Sequence, residues 1–231
     1  MENTLQFTGC TISTHQCRCF EKLSTEELKL LEENSVKIKY KKREIICKQG
    51  GFVSNIMYME QGLAKVFLDN GSNSLVLKII PEGNFLGLAS VSEEYNIFQY
   101  SAMAYIDSEI RQIDVNTFRL LLKKNPDFAK EVIDILSANS VQIYGRFFFL
   151  THKQAYGRLA DILLCLADRV FKNREFELPL SRKDLAELSG MSSETVTRML
   201  KKFNEEGLIY LNGKSFRVVE YERLKRISVT G

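Results

Sequence analysis

The sequence predicts an α+β chain in three parts: a strand-rich N-terminal region, a long helix, and a C-terminal helix-turn-helix followed by a β-hairpin wing. Three observations carry this. From Val36 to about Ile113 the chain is a series of short segments, VKIKYK, EIICKQG, NIMYMEQG, LAKVFLDNG, SLVLKIIPEG, YSAMAYID and SEIRQID, separated by glycines or Asp/Asn-Gly pairs. That spacing is the mark of an antiparallel sandwich or barrel. From Asp127 to Leu150 apolar residues follow a heptad. From Leu180 to Gly213 the stretch LSRKDLAELSGMSSETVTRMLKKFNEEGLIYLNG holds two helix starts, a glycine between them and an Asn-Gly turn at its end.

Residues 1–22 form an irregular tail with Cys10, His15, Cys17 and Cys19. Ser24-Thr25-Glu26-Glu27 is a capping box and starts a short helix through about Glu33. The strand region follows, with Asp69-Asn70-Gly71 as its clearest hairpin turn. After Asn116 the period becomes helical, and NTFRLLLKKN reads as one short helix ended by Pro126. Residues 23–125 are therefore assigned to the strand-rich domain and 126–151 to the long helix.

On that helix Ala129, Leu136, Ile143 and Leu150 share one heptad position, and Ile133, Ser140 and Phe147 share the other. Together they make a narrow seam suited to pairing with a second copy of the chain. The flanks of the same helix remain available to cover the sheet, and polar Ser140 is expected to set register. Thr151 and His152 are read as interrupting that helix or marking a bend. A further helix then runs to Phe171 with Tyr156, Leu159, Ile162, Leu163 and Leu166 as its apolar stripe and Cys165 as a core thiol.

Residues 152–231 close with the helix-turn-helix. Ser181 and Asp184 form a capping box, Gly190 allows the left-handed backbone of a sharp turn, and Ser192 caps the second helix. Val196, Met199, Leu200 and Phe203 are that helix's buried stripe. Ser193, Glu194, Thr197, Arg198, Lys201 and Lys202 are left on its exposed side. Such a helix docks in the DNA major groove, where Arg bonds guanine O6 and N7 and Glu accepts from the cytosine amino group. Glu194 and Arg198 are four apart and share a face. An exposed i,i+4 ion pair is the simpler reading of that spacing; the capped helix before it and the hairpin after it favour base reading. Leu208–Tyr210 and Ser215–Val219, joined at Asn212-Gly213, make a two-stranded wing with Lys214 at its tip, and YERLKRI a closing helix.

Charge agrees with this. Ser181–Gly231 carries ten Lys or Arg and seven Asp or Glu, a surplus of three, which is the whole net charge of +3. No apolar run approaches membrane-span length, and MENTLQFTGC lacks the features of a signal peptide, so cytoplasm is the expected location. The chain has no HExxH, no GxxxxGK[ST] and no nucleophile elbow, and only two histidines, so an enzyme is not expected.

The order of parts, and above all GMSSETVTRMLKKFNEEGLI with its NG-turned hairpin, resembles the Crp/Fnr superfamily of bacterial transcription regulators, from about Leu23 to Ile227. The resemblance implies an N-terminal double-stranded β-helix (a jelly-roll-like β-roll), a dimerisation helix and a winged helix-turn-helix. It implies that Glu194-Thr195-Val196-Thr197-Arg198 is the recognition motif, with Glu194 and Arg198 reading a G·C pair. Ser193 stands where cyclic-AMP-receptor-like members have Arg, and Thr197 where Fnr-like members have Ser. A TTGA-like half-site is the expectation. Ser181 matches a backbone-contacting position, and Lys201, Lys202 and Lys214 are expected on phosphates. The implied partners are double-stranded DNA, a second copy of the chain and, for an activator, RNA polymerase, with no membrane. A sensory module acting through protein contacts is the alternative reading.

The resemblance also places an effector pocket at Gly83, Gly87 and Leu88. Nucleotide-binding members have an acid where Leu88 stands. Ile79–Ile110 holds no Lys, Arg or His but does hold Glu82, Glu93, Glu94, Asp107 and Glu109. Burying a phosphate among acids is costly, so cyclic AMP and cyclic GMP are not expected. An apolar or neutral ligand remains open. Fnr-like members hold an iron–sulfur cluster on cysteines. Here the tail reads C-x6-C-x-C, and no Cys lies between Cys47 and Cys165. A cluster or other metal on Cys10, His15, Cys17 and Cys19 is thus possible but not favoured; two of these cysteines acting as a redox pair is the other option.

Overall fold

The computed structural model describes residues 17–69, 71 and 74–230. They form two compact units, one ending at Ser140 and the other beginning at Val141.

In the first unit a 3₁₀ turn at Cys19–Lys22 leads into α1 (Thr25–Glu33). The expected box caps α1: Ser24 Oγ accepts from the Glu27 amide, and the Glu27 carboxylate accepts from the Ser24 amide. Eight strands follow: β1 (Ser35–Tyr40), β2 (Ile45–Cys47), β3 (Asn55–Gln61), β4 (Leu63–Asp69), β5 (Ser74–Pro81), β6 (Phe85–Leu86), β7 (Ser101–Ala104) and β8 (Ser108–Asp114). They pair antiparallel in two four-stranded sheets of order β1-β8-β3-β6 and β2-β7-β4-β5. This double-sheet order is the predicted β-roll. The two-residue β6, too short to show periodicity, is a strand the sequence did not signal. At the expected hairpin the β4–β5 ladder closes at Asp69↔Ser74. Asp69 Oδ1 accepts from the Gly71 amide; Asn70 itself lies outside the described residues.

One core joins the two sheets, with Ile56, Met59, Ala64, Val66, Ile80, Leu86, Ala102, Ile110 and Ile113 all buried in it. Asp114 caps α2 (Val115–Lys124) by accepting from the Thr117 amide. Pro126 then opens α3 (Pro126–His152) at the position where its missing N–H costs nothing. Aromatic edges tie these parts together. The Phe85–Phe118 and Phe118–Phe128 ring centroids are 5.6 and 5.3 Å apart, and Phe20 and Tyr58 extend the cluster from Phe85.

In the second unit α3 does not break at Thr151–His152 as expected. It runs through His152, where Thr151 Oγ1 bonds back to the Phe147 carbonyl and satisfies the turn. The break is at Lys153–Gln154, and Gln154 in extended backbone starts α4 (Ala155–Cys165). Two side chains hold the corner: Lys153 pairs with Asp161 at 2.7 Å, and Arg158 Nη1 donates to the Leu150 carbonyl. The helix expected to reach Phe171 instead ends in a π turn, Leu166–Val170, whose last bond runs from the Phe171 amide to the Leu166 carbonyl. Cys165 is buried as expected, but its sulfur is engaged in a disulfide and is not a free core thiol.

Then come β9 (Glu175–Glu177), α5 (Arg182–Ser189), α6 (Ser193–Glu205), β10 (Ile209–Asn212), β11 (Ser215–Val218) and α7 (Tyr221–Thr230). The wing has three strands, not two, in the order β10-β11-β9. Phe176 of β9 pairs with Phe216 of β11, and burying Phe216 there recruits the extra strand. The two loop residues are Gly213 and Lys214, since Asn212 pairs directly with Ser215.

Candidate nucleic-acid interface

Both helices of the motif start where the sequence placed them. Ser181 Oγ accepts from the Asp184 amide, and the Asp184 carboxylate accepts from both the amide and the hydroxyl of Ser181. The Ser181 hydroxyl is therefore already a donor within α5, and only its second lone pair is uncommitted. Gly190 ends α5 in the left-handed region (φ 63°), and the Met191 amide reaches back to the Ala186 carbonyl. A Cβ at Gly190 would come within 3.0 Å of Leu150 Cδ2. Gly190→Ala is expected to lower the stability of this unit by about 1–2 kcal/mol, the usual penalty of a left-handed Cβ, read as a lower thermal midpoint. An unchanged midpoint would show that the turn relaxes.

Ser192 caps α6 by accepting from the Thr195 amide. Val196, Met199, Leu200 and Phe203 are buried, and Leu185, Ala186 and Leu188 are buried on α5. The opposite side of α6 exposes Glu194, Thr197, Arg198, Lys201 and Lys202, with Ser193 half-buried. The Glu194 carboxyl lies low in the carboxylate range because its own amide and then the Ser192 hydroxyl hydrogen-bond to it. Thr197 Oγ1 donates to the Ser193 carbonyl at 2.7 Å, leaving its methyl and lone pairs outward.

Among the described residues no ion pair forms between Glu194 and Arg198, whereas Lys201–Glu205 and Lys202–Glu206 do pair at i,i+4, at 3.7 and 3.8 Å. The simpler reading of the Glu194–Arg198 spacing is therefore not what the helix adopts. Lys202 differs from Lys201: its ammonium lies 5.0 Å from the Tyr156 ring centroid, which holds it against α4. Lys214 is exposed at the wing tip.

The seam of α3 is rotated from its expected position. Ile133, Ile143, Tyr144 and Phe147 keep 56–69% of their surface exposed. Leu136 packs against the roll core, and Leu150 is half-buried against Gly190. The exposed line thus follows Ile133, Ser140 and Phe147, with Tyr144 and Val141 as members that the heptad count missed. Ser140 Oγ bonds to the Leu136 carbonyl in its own helix, so its donor is not available to set register. Phe128, Val132 and Ile135 form the opposite, buried face.

In the roll, Gly83 and Gly87 adopt φ of 78° and 91°. Gly87 does so at the turn from β6 into the 3₁₀ turn Leu88–Ser90. Leu88 is buried in the core. The Gly87 amide donates to Tyr100 Oη at 2.8 Å, and burial pushes the Tyr100 phenol well above its usual pKa. Tyr100 is a partner of the candidate pocket's Gly87 that the sequence reading missed, since a lone aromatic in a strand region carries no signal. A second missed residue is Lys78. It lies one residue before the cation-free segment, yet it pairs with Val66 across β4–β5 and so faces the roll interior. The roll is therefore not free of cations.

Cys17 and Cys19 are joined by a disulfide, with the Cys17 amide on the Gly83 carbonyl. Sulfurs bonded to each other are not metal ligands, so the candidate metal set, already not favoured, loses two members in this state. Cys10 and His15 lie outside the described residues. Among the described residues no group of three His, Cys, Asp or Glu side chains could hold a metal, and no helix is long and apolar enough to cross a membrane.

Residues 37–125 match the family of cyclic nucleotide-binding domains, and residues 157–227 match the Crp-like helix-turn-helix domain. The cAMP-activated global transcriptional regulator CRP of Salmonella typhimurium is 27% identical over 188 residues, covering 78% of this chain and 88% of that protein. Electron transport regulator A of Shewanella oneidensis is 25% identical over 231 residues, covering 95% and 92%. The structure of FixK2 from Bradyrhizobium japonicum superposes with a TM-score of 0.77 at 19% identity, over 85% of this chain and 98% of that one. The paired domains, in this order and with a capped, outward-facing recognition helix, make the chain a member of the Crp/Fnr family of DNA-binding transcriptional regulators.

Proposed function

We propose that the chain acts as a homodimer on a pseudo-palindromic operator with TTGA-like half-sites, under the control of a signal sensed in the N-terminal roll that is not a cyclic nucleotide. The observation that carries the base-reading assignment is the pair Glu194 and Arg198, exposed on one face of α6 and not bonded to each other. Arg198 takes the guanine and Glu194 the cytosine of one base pair; Ser193 and Thr197 read the neighbouring bases. Lys201 and Lys214 face phosphates, Lys202 does so from its place over Tyr156, and Ser181 joins them by turning its hydroxyl hydrogen from Asp184 to a phosphate oxygen. The functional parts are residues 1–22, 23–125, 126–151 and 152–231. RNA polymerase is a further partner if the protein activates, and the DNA partner places its work in the cytoplasm.

The exposed α3 line of Ile133, Ser140, Tyr144 and Phe147 supports pairing with a second copy, which sets two recognition helices roughly 34 Å apart on one face of DNA. Against a cyclic nucleotide stand buried Leu88, at the position where nucleotide-binding members have an acid, and the Gly87 amide beside it, whose hydrogen is already given to Tyr100.

Selection from a random DNA library, followed by fluorescence anisotropy on the selected site, tests the DNA reading. Arg198→Ala is expected to cost about 1–3 kcal/mol on the specific site and to relax choice at one base pair. Unchanged affinity and unchanged selection would remove Arg198 from the interface. Calorimetry with cyclic AMP and cyclic GMP tests the signal: micromolar binding of either would overturn the exclusion.

A further inference from the structure

Lys78 is half-buried on the inner face of the roll, where its ammonium has one acceptor, Asn139 Oδ1 of α3 at 3.0 Å. An ammonium has three donors, and a neutral amide leaves its charge uncompensated. No carboxylate of the described residues offsets it: desolvation is the sole cause acting on the group and lowers its pKa to about 8. Withdrawing an unpaired charge from water is costly, and titratable groups perturbed in this way cluster at functional sites.

The surroundings are apolar. Val66 pairs with Lys78, Ala102 pairs with Val66, and Ala64 and Ile80 pair one step along on the same face. Opposite-charge chemistry at one point and hydrocarbon elsewhere is the recognition pattern of a carboxylate with an apolar body.

We propose that the roll binds a small apolar carboxylate, with its oxygens on Lys78 and on the amide of Asn139. The ligand then touches a strand of the roll and the helix that carries the dimer seam, so its binding favours whichever α3 position keeps Asn139 beside it. This rests on the reading of the roll as the sensor. It replaces the expectation of an apolar or neutral ligand, because a cation withdrawn from water without an anionic partner selects for an anion.

The test is calorimetry on the full-length protein with octanoate and, as its uncharged counterpart, octan-1-ol. Octanoate is expected to bind at least about tenfold more tightly than octanol, the equivalent of one charge-assisted hydrogen bond. Lys78→Met is expected to bind the two alike, and Lys78→Gln, which keeps one polar contact, to lie between them. Both variants are checked for folding by circular dichroism, and Asn139→Leu gives an independent loss of the carboxylate preference should either fail. Absence of octanoate binding to the wild type, equal affinity for the two probes, or an undiminished preference in Lys78→Met each overturns the proposal. Anisotropy on the selected operator runs in parallel. Intact DNA binding with no octanoate binding removes only the carboxylate, whereas no specific DNA binding at all removes the regulatory reading beneath it.

Discussion

Replacing Ile143 and Phe147 together by Asp yields a monomer whose affinity for an operator with two half-sites falls by about 10²–10⁴-fold, the size of effect lost when two linked binding events become independent. Both side chains are among the most exposed large apolar groups of the chain, at 56% and 69%. Neither is needed by the fold of its own unit, because the buried face of this part of α3 is carried by Phe149. Two carboxylates in an apolar seam would be left desolvated and facing their own copies across a two-fold axis. Light scattering reads the mass, and anisotropy on operators with one and two half-sites reads the coupling. A variant that stays dimeric would move the interface off this line. A wild type that gains nothing from the second half-site would remove the paired mode of binding.

Phe118→Ala lowers the stability of the N-terminal unit by about 3–5 kcal/mol, the range for deleting a fully buried aromatic ring. Phe118 has no exposed surface, and its ring edges meet Phe85 of the sheet and Phe128 of α3. Removing it takes out the ring through which α2 joins the sheet and α3, and neighbours fixed on a strand and a helix cannot both collapse into the space. Urea unfolding followed by far-ultraviolet circular dichroism measures the shift. The transition of the C-terminal unit, which has its own buried Phe203 and Phe216, is expected to remain in place. A change below about 1 kcal/mol would mean that the site repacks freely.

The DNA-reading unit was the most legible part of the chain because its signals are local. A cap at Ser181, a left-handed glycine at Gly190 and a cap at Ser192 each act within four residues of backbone. The apolar stripe of α6 likewise follows from helical period alone. Signals became unreliable where distant strands decide. The two-residue β6 has no period to read, β9 becomes a wing strand only because Phe176 finds Phe216, and Ser140 looks like a register device until its hydroxyl is seen bonded within its own turn.

The seam shows the same limit. A heptad count finds seven candidates without saying which of them the roll core claims, and Leu136 goes to the core while Tyr144 goes to solvent. In the roll the cation-free stretch Ile79–Ile110 was read correctly as sequence, yet strand pairing brings in Lys78 from just outside it. Tyr100 and the Gly87 amide meet across thirteen residues of chain, and no spacing rule announces that bond.

By itself the sequence determined that this chain carries a strand-rich roll, a long helix and a winged helix-turn-helix with Glu194 and Arg198 outward, because helix caps, turn glycines and hydrophobic period act over a few residues. Only the tertiary structure decided which faces stay open and what lies inside the roll. Exposure and the company of a half-buried charge depend on side chains brought together from strands and helices far apart along the chain.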